Sequence, residues 1–139
     1  MIVLDTNVIS EIQKPNTHRS VEAWLATIGL QQTHVCGPVF MEQAYGADLH
    51  YHRTGSRRYR ESLQRLLAEF ADRTLPMSAE AWCRAGELRA LRESRGRPIS
   101  IGDAMIAAIC IVHGATLATR NVRDFDGLDL KLVNPFEAA

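Results

Sequence analysis

The sequence has no apolar run near the roughly 20 residues that a membrane-spanning helix needs. Its longest, Ala104 to Val112, stops well short. The opening MIVLDTNVIS has no positively charged start and reaches an acid at Asp5, so it does not read as a secretory signal. Cysteine is scarce: Cys36, Cys83 and Cys110 form neither a C-x-x-C pair nor a Cys/His zinc pattern. All three lie in apolar stretches and are expected as buried thiols in a reducing compartment. These absences lead us to expect a cytoplasmic protein with no membrane contact.

Net charge is missing too. Sixteen Lys and Arg stand against sixteen Asp and Glu, so no global basic field advertises nucleic-acid binding. Lysine is nearly absent, with only Lys14 and Lys131. The other basic residues are Arg, which grips phosphate bidentately where Lys acts as a point charge. There is no phosphate-cradling G-x-x-x-x-G-K-[ST] loop and no nucleophile elbow. The five His are scattered, and His50 and His52 lie two apart rather than at the i, i+4 spacing of helical ligands. We read all five as surface or packing residues. What remains for polar chemistry is carboxylate.

The composition that is present, 46% hydrophobic and 23% charged over 139 residues, is that of an ordinary globular domain. At this size a chain buries roughly 70% of its unfolded surface, enough for a core without disulfides. No repeat, low-complexity tract or linker divides it, so a single domain over residues 1–139 is expected.

Ile2-Val3-Leu4 reads as a strand buried on both faces, followed by a short helix to about Gln13 and a break at Pro15-Asn16. Val21, Trp24, Leu25 and Ile28 give a helical stripe over Ser20–Ile28. Thr33–Cys36 is expected as a strand, and Pro38 opens a helix that ends near Gly55. Leu63, Leu66, Leu67 and Phe70 mark a helix over Ser56–Arg73. A third strand is expected over Thr74–Met77. Ser78 and Ser100 cap helices that stop at Gly96 and at His113-Gly114. Ala115–Thr119 and Leu130–Val133 complete the strands. Alternating strands and helices predict an α/β fold in three layers, α/β/α, around a central, mostly parallel sheet. Ligands in such sheets bind beyond the C-terminal strand ends, where Asp5 and Thr119-Arg120-Asn121 fall.

Three carboxylates stand near strand ends or helix starts. Asp5 follows the first strand and is followed by Thr6 and Asn7. It is either a helix cap or a ligand, and three polar side chains are more than one cap needs. Asp103 lies three residues after Ser100, close to a capping box. The helix after it is apolar on all sides, where an ion is costly unless paired or metal-bound. Glu42, one turn into the Pro38 helix, is either a solvated face residue or a third partner. Oxygen ligands of this kind suit magnesium, which keeps several waters and can ready one for attack on a phosphate.

These segments resemble the PIN-domain nucleases and, among them, the VapC-type toxins of bacterial toxin–antitoxin pairs. The resemblance runs through I-V-L-D-T-N-V-I-S-E with Asp5, P-V-F-M-E-Q-A-Y-G with Glu42, and I-S-I-G-D-A-M-I-A-A with Asp103. It continues into A-T-L-A-T-R-N-V-R-D-F and L-V-N-P-F. It implies a magnesium-dependent endoribonuclease, with Mn2+ as a substitute, in which Asp5, Glu42 and Asp103 hold the metal and water attacks the phosphodiester. It also implies a homodimer and a cognate VapB-like antitoxin, assembled as a heterotetramer or larger. The position matching the family's fourth acid is Asn121, with Asp124 a less favoured stand-in, which puts a second metal in doubt. Thr6, Asn7 and Thr119 fit supporting roles beside the carboxylates.

RNA contacts are expected from Arg120 and from two clusters, Arg53, Arg57, Arg58 and Arg60, and Arg92, Arg95 and Arg97. Each cluster reads equally as a solvated helix face. Single-stranded or loop RNA is the expected target, because A-form grooves admit side chains poorly. Trp24, Phe40, Tyr45, Leu63 and Leu67 are core residues or a groove for an antitoxin helix. Two alternatives remain. One is a phosphatase or phosphoryl-transfer domain with Asp5 as nucleophile, although position 7 is Asn7 where a second Asp is usual. The other is a non-catalytic protein-binding domain of similar fold.

Overall fold

The computed structural model describes residues 1–137. Five strands form its sheet: β1 (Ile2–Leu4), β2 (Thr33–Cys36), β3 (Thr74–Leu75), β4 (Thr116–Ala118) and β5 (Lys131–Val133). Their order is β3-β2-β1-β4-β5, and every neighbouring pair is parallel. Six helices flank the sheet: α1 (Thr6–Ile12), α2 (Arg19–Ile28), α3 (Gly37–Thr54), α4 (Arg58–Glu69), α5 (Ala79–Ser94) and α6 (Ile101–His113). This is the expected α/β architecture with a parallel central sheet. No described helix is long and apolar enough to cross a membrane.

β1 is the centre of the sheet. Val3 and Leu4 are fully buried, because a parallel strand covered by helices has no solvent face. β1 pairs with β2 on one side, Ile2 opposite Thr33, and with β4 on the other, Ile2 opposite Thr116. The chain builds outward from β1 to β2 and β3, then crosses back to place β4 against the other edge of β1. The strand order therefore reverses between β1 and β4, and a crevice opens beyond their C-terminal ends.

α6 packs beneath this crevice. Ala104 and every residue from Ile106 to Cys110 are buried, as its apolar composition predicts. Ser100 caps it by accepting the Asp103 N–H at 3.1 Å. Gly114 ends it at φ +64, a left-handed conformation that strains residues bearing a Cβ. α5 packs on α6 and α3 on α4. Ser78 caps α5 by accepting the Ala81 N–H.

Four expectations need correction. The third strand ends at Leu75 rather than Met77, because Pro76 has no N–H to extend the ladder. The helix expected over Ser56–Arg73 covers only Arg58–Glu69. The Ser56 hydroxyl instead accepts the Arg58 N–H just before its start. Leu66 in α4 and Phe70 just past its end form the buried seam, while Leu67 is 45% exposed, since one further residue rotates a side chain about 100° around the axis. Cys36 and Cys110 are buried, but Cys83 is exposed. Ala81, Ala85, Leu88 and Arg92 form the inner face of α5, which leaves Cys83 and Trp82 pointing outward.

Candidate active site

Asp5 is fixed from both sides. Its backbone N–H donates to the Ala118 carbonyl at 2.9 Å, carrying the β1–β4 ladder one residue past the strand. Its side chain caps α1, Oδ1 accepting the Thr6 N–H at 2.8 Å. The other oxygen, Oδ2, accepts the Thr119 hydroxyl at 2.7 Å and, at 3.5 Å, the Asn7 amide. Asp5 is thus a helix cap, and it is also more than one. It is 5% exposed. Burial pushes its carboxyl above the ordinary 3.8. The bonds from Thr119 and Thr6 pull it back, and the charges of Glu42 and Asp124 push it further up.

Asp103 sits in the first turn of α6, half-buried. Burial raises its carboxyl to about 6, with the negative charge of Asp5 next in importance. Asp124 and Glu42 act in the same direction, while a hydrogen bond with Ser100 opposes. Glu42 lies in α3, exposed, and accepts the Thr6 hydroxyl at 2.6 Å through Oε2. Its Oε1 comes within 3.3 Å of where a Cβ on Gly102 would stand. Glycine at 102 is what lets the Glu42 carboxylate approach the start of α6. Cys36, at the end of β2, offers no thiolate here. Burial pushes its thiol up to about 12, with the Asp5 and Glu42 charges adding to the shift.

The structure thus brings Asp5, Glu42 and Asp103 within electrostatic reach of one another. They do not form a ready-made cage. As the side chains lie, no three acidic, His or Cys side chains among the described residues could hold one metal ion together. Glu42 is engaged by Thr6 instead. The donor chemistry nevertheless fits a hard divalent cation, since the group is all oxygen. Burial is the larger part of the upward push on Asp5 and Asp103, and the neighbouring negative charge is the part that a cation would relieve.

The supporting residues fall into place unevenly. Asn7 donates its amide to the Thr119 hydroxyl oxygen at 3.4 Å and accepts the Arg120 N–H at 3.0 Å. Asn121 uses its backbone, donating to Thr119 Oγ1 at 3.0 Å, and its side chain is exposed. The Arg120 guanidinium stacks over the Phe136 ring at 4.5 Å, so it lies toward the C-terminal segment. Asp124 was the less favoured acid, yet its charge reaches both Asp5 and Asp103. One 3-10 turn, Val122–Phe125, carries it there. An acid three residues past Asn121 was the available signal.

The second Arg cluster is largely structural. Arg92 is buried and donates to the carbonyls of Arg97 at 2.8 Å, Asp124 at 2.9 Å and Asp126 at 3.3 Å. It anchors the turn that carries Asp124. Arg95 and Arg97 donate to the carbonyls of Gly127 and Arg123. In the first cluster, Arg60 pairs with Asp48 at 2.8 Å and lies over the Tyr51 ring. Sequence reasoning missed Arg73, a buried guanidinium that donates to the Thr33 carbonyl at 2.9 Å and to Glu69 at 3.1 Å. It also missed Glu11, buried, which accepts the His18 N–H at 2.9 Å. Buried charge of this kind carries no periodic signature.

A parallel sheet with carboxylates gathered at its switch point defines an α/β protein with an acidic site at the strand ends. The family model for the PIN domain matches residues 2–130, and the chain belongs to the PIN-domain family. It is 34% identical to the VapC ribonuclease Y4jK of Sinorhizobium fredii over the full length of both chains. It is 32% identical to toxin FitB of Neisseria gonorrhoeae, over 98% of this chain and 99% of that one. The crystal structure of FitAcB from Neisseria gonorrhoeae superposes with a TM-score of 0.84 at 30% identity, covering 99% of each chain.

Proposed function

We propose that this chain is a divalent-metal-dependent endoribonuclease and the toxin of a toxin–antitoxin pair. The observation that carries the reading is that the charges of Glu42 and Asp124 reach Asp5, and those of Asp5, Asp124 and Glu42 reach Asp103, beyond the C-terminal end of β1. Uncompensated acids at a ligand-binding strand end are what a metal-assisted phosphodiesterase requires. The relatives carry the names ribonuclease and toxin, which supports the same assignment.

Asp5, Glu42 and Asp103 would hold Mg2+ or Mn2+. The bound ion would supply positive charge for the phosphate oxygens and make a water acidic enough to attack. Thr119 and the Thr6 N–H favour the ionised form of Asp5 and aim its oxygens. Asn7 joins α1 to the segment after β4 and so fixes the floor of the crevice. Thr6 orients Glu42. No side-chain nucleophile is needed, and Asp5 is a poor one because both of its oxygens accept hydrogen bonds. The buried side chains form one core cluster, which supports reading the chain as a single domain. The partners in this reading are RNA, an antitoxin of the VapB kind and a second copy of the chain, in the cytoplasm.

Purified protein incubated with RNA tests this. Cleavage is expected with Mg2+ or Mn2+, none with EDTA, and none from Asp5→Asn, which keeps a side-chain oxygen to cap α1. RNA cleavage by natively folded Asp5→Asn at the wild-type rate would overturn the assignment.

A further inference from the structure

A groove of about 340 Å3 runs away from the carboxylates between α1, α3 and α4, within the usual range for small-molecule sites of about 300–1,000 Å3. Thr6 and Glu42 line its inner end, so it is continuous with the crevice. Beyond them its polar and aromatic walls are Ser10, Gln13, Gln43, His50, Tyr59 and Ser62, with Gly46 and Ala47 of α3 between them. Apart from Glu42, this lining carries hydroxyls, amides, aromatic rings and the small residues Gly46 and Ala47, with no Lys or Arg.

That chemistry selects against a phosphate inside the groove and for a neutral, flat, hydrogen-bonding group. Gln43 donates its amide to Ser10 Oγ at 3.1 Å, which fixes the amide plane across the α1–α3 wall and leaves its carbonyl oxygen available. A fixed amide can read the edge of a base. Tyr59 is 46% exposed and held edge-on to His50, with ring centroids 4.7 Å apart at 79°. The Arg58 guanidinium lies over the Tyr59 ring at 5.5 Å. A cation therefore lies over one face of an exposed ring that also lines the groove.

We infer that this groove is a nucleobase subsite of the RNA substrate. Tyr59 stacks the base, Gln43 reads its edge, and Arg58 contacts the sugar–phosphate backbone. This rests on the nuclease reading for the identity of the ligand and goes beyond it in assigning residues that set sequence preference. Stacking on Tyr59 tolerates any base, because every base has a π face. Discrimination falls to Gln43, because a base that mismatches a fixed amide leaves polar groups unpaired.

The test is binding, measured in EDTA so that no cleavage is needed. Fluorescence anisotropy compares oligo(A), oligo(U) and oligo(C) with an abasic ribose-phosphate chain of the same length. The wild-type protein is expected to bind at least one of the three about tenfold more tightly than the abasic chain. Tyr59→Ala should erase that advantage, and Tyr59→Phe should restore it. Gln43→Ala should level the differences among the three base-bearing chains. Equal binding of abasic and base-bearing chains by the wild type, or an advantage that survives Tyr59→Ala, would overturn the subsite. So would a Tyr59→Ala effect confined to a co-expressed protein partner, which would make the groove a protein interface. A wild-type protein that keeps base-dependent binding but fails to cut RNA in Mg2+ would support the subsite and overturn the nuclease reading alone.

Discussion

Thr119 gives its hydroxyl proton to Oδ2 of Asp5 across 2.7 Å, linking positions 114 apart in the chain. The bond is buried and its acceptor is charged, the kind of hydrogen bond that contributes most. The same Thr119 oxygen accepts from Asn7 and from the Asn121 N–H, so one hydroxyl organises both ends of the crevice.

Replacing Thr119 by Val removes that donor and leaves Asp5 buried with less compensation. The expected loss is about 2 kcal/mol of unfolding free energy at pH 7, typical for a buried hydrogen bond to a charged group. Thr119→Ser should recover most of it. Urea denaturation of the three proteins checks this, and equal midpoints for wild type and Thr119→Val would show that Asp5 does not depend on the bond.

The carboxyl of Asp103 rises on folding from 3.8 to about 6. Between those values the folded chain holds a proton that the unfolded chain has released, so stability falls as pH rises through this window. Asp5 is shifted the same way. Glu11 is shifted down from 4.5, chiefly by the His18 N–H, so its contribution is lost as pH falls below that value. The metal-free protein should therefore be most stable at about pH 4 to 4.5 and lose stability from there to about pH 6. Asp103→Asn should stabilise it at pH 7 by about 1 kcal/mol, because half-burial leaves part of the charge screened by water. Thermal melts in EDTA across pH decide this; a wild type that is steadily more stable up to pH 8 would contradict it.

Gly102→Ala should separate folding from activity. The position is in α6 with ordinary backbone, so alanine gains up to about 1 kcal/mol of helix propensity. Its new Cβ would stand 3.3 Å from Glu42 Oε1, and the carboxylate must give way by a few tenths of an ångström. On the proposed function, displacing the Glu42 carboxylate should cost roughly tenfold in cleavage rate, while the melting temperature holds or rises. Unchanged cleavage would mean that Glu42 does not work from where it stands.

The positions of the helices and strands were legible because their signals are local. The stripe through Val21, Trp24 and Leu25, the Ser78 and Ser100 caps, Pro38 at the start of α3 and Gly114 after α6 each act within a few residues, through backbone hydrogen bonds or one helical turn. The places where the reading slipped were local contests it could not weigh, such as Pro76 shortening β3. Leu67 and Cys83 turned outward because burial depends on what a neighbouring element covers.

The sequence by itself determined an α/β chain, its element boundaries to within a few residues, and which acids stand at strand and helix ends. Tertiary structure decided the rest. The return of β4 to the open edge of β1 sets Thr119 against Asp5, lets Gly102 admit Glu42, and makes Arg92 the anchor of the Asp124 turn. Hydrogen bonds within a helix are fixed by neighbours in the chain, whereas the field at Asp103 is a sum over the charges of Asp5, Glu42 and Asp124, on three separate segments that only the strand order brings together.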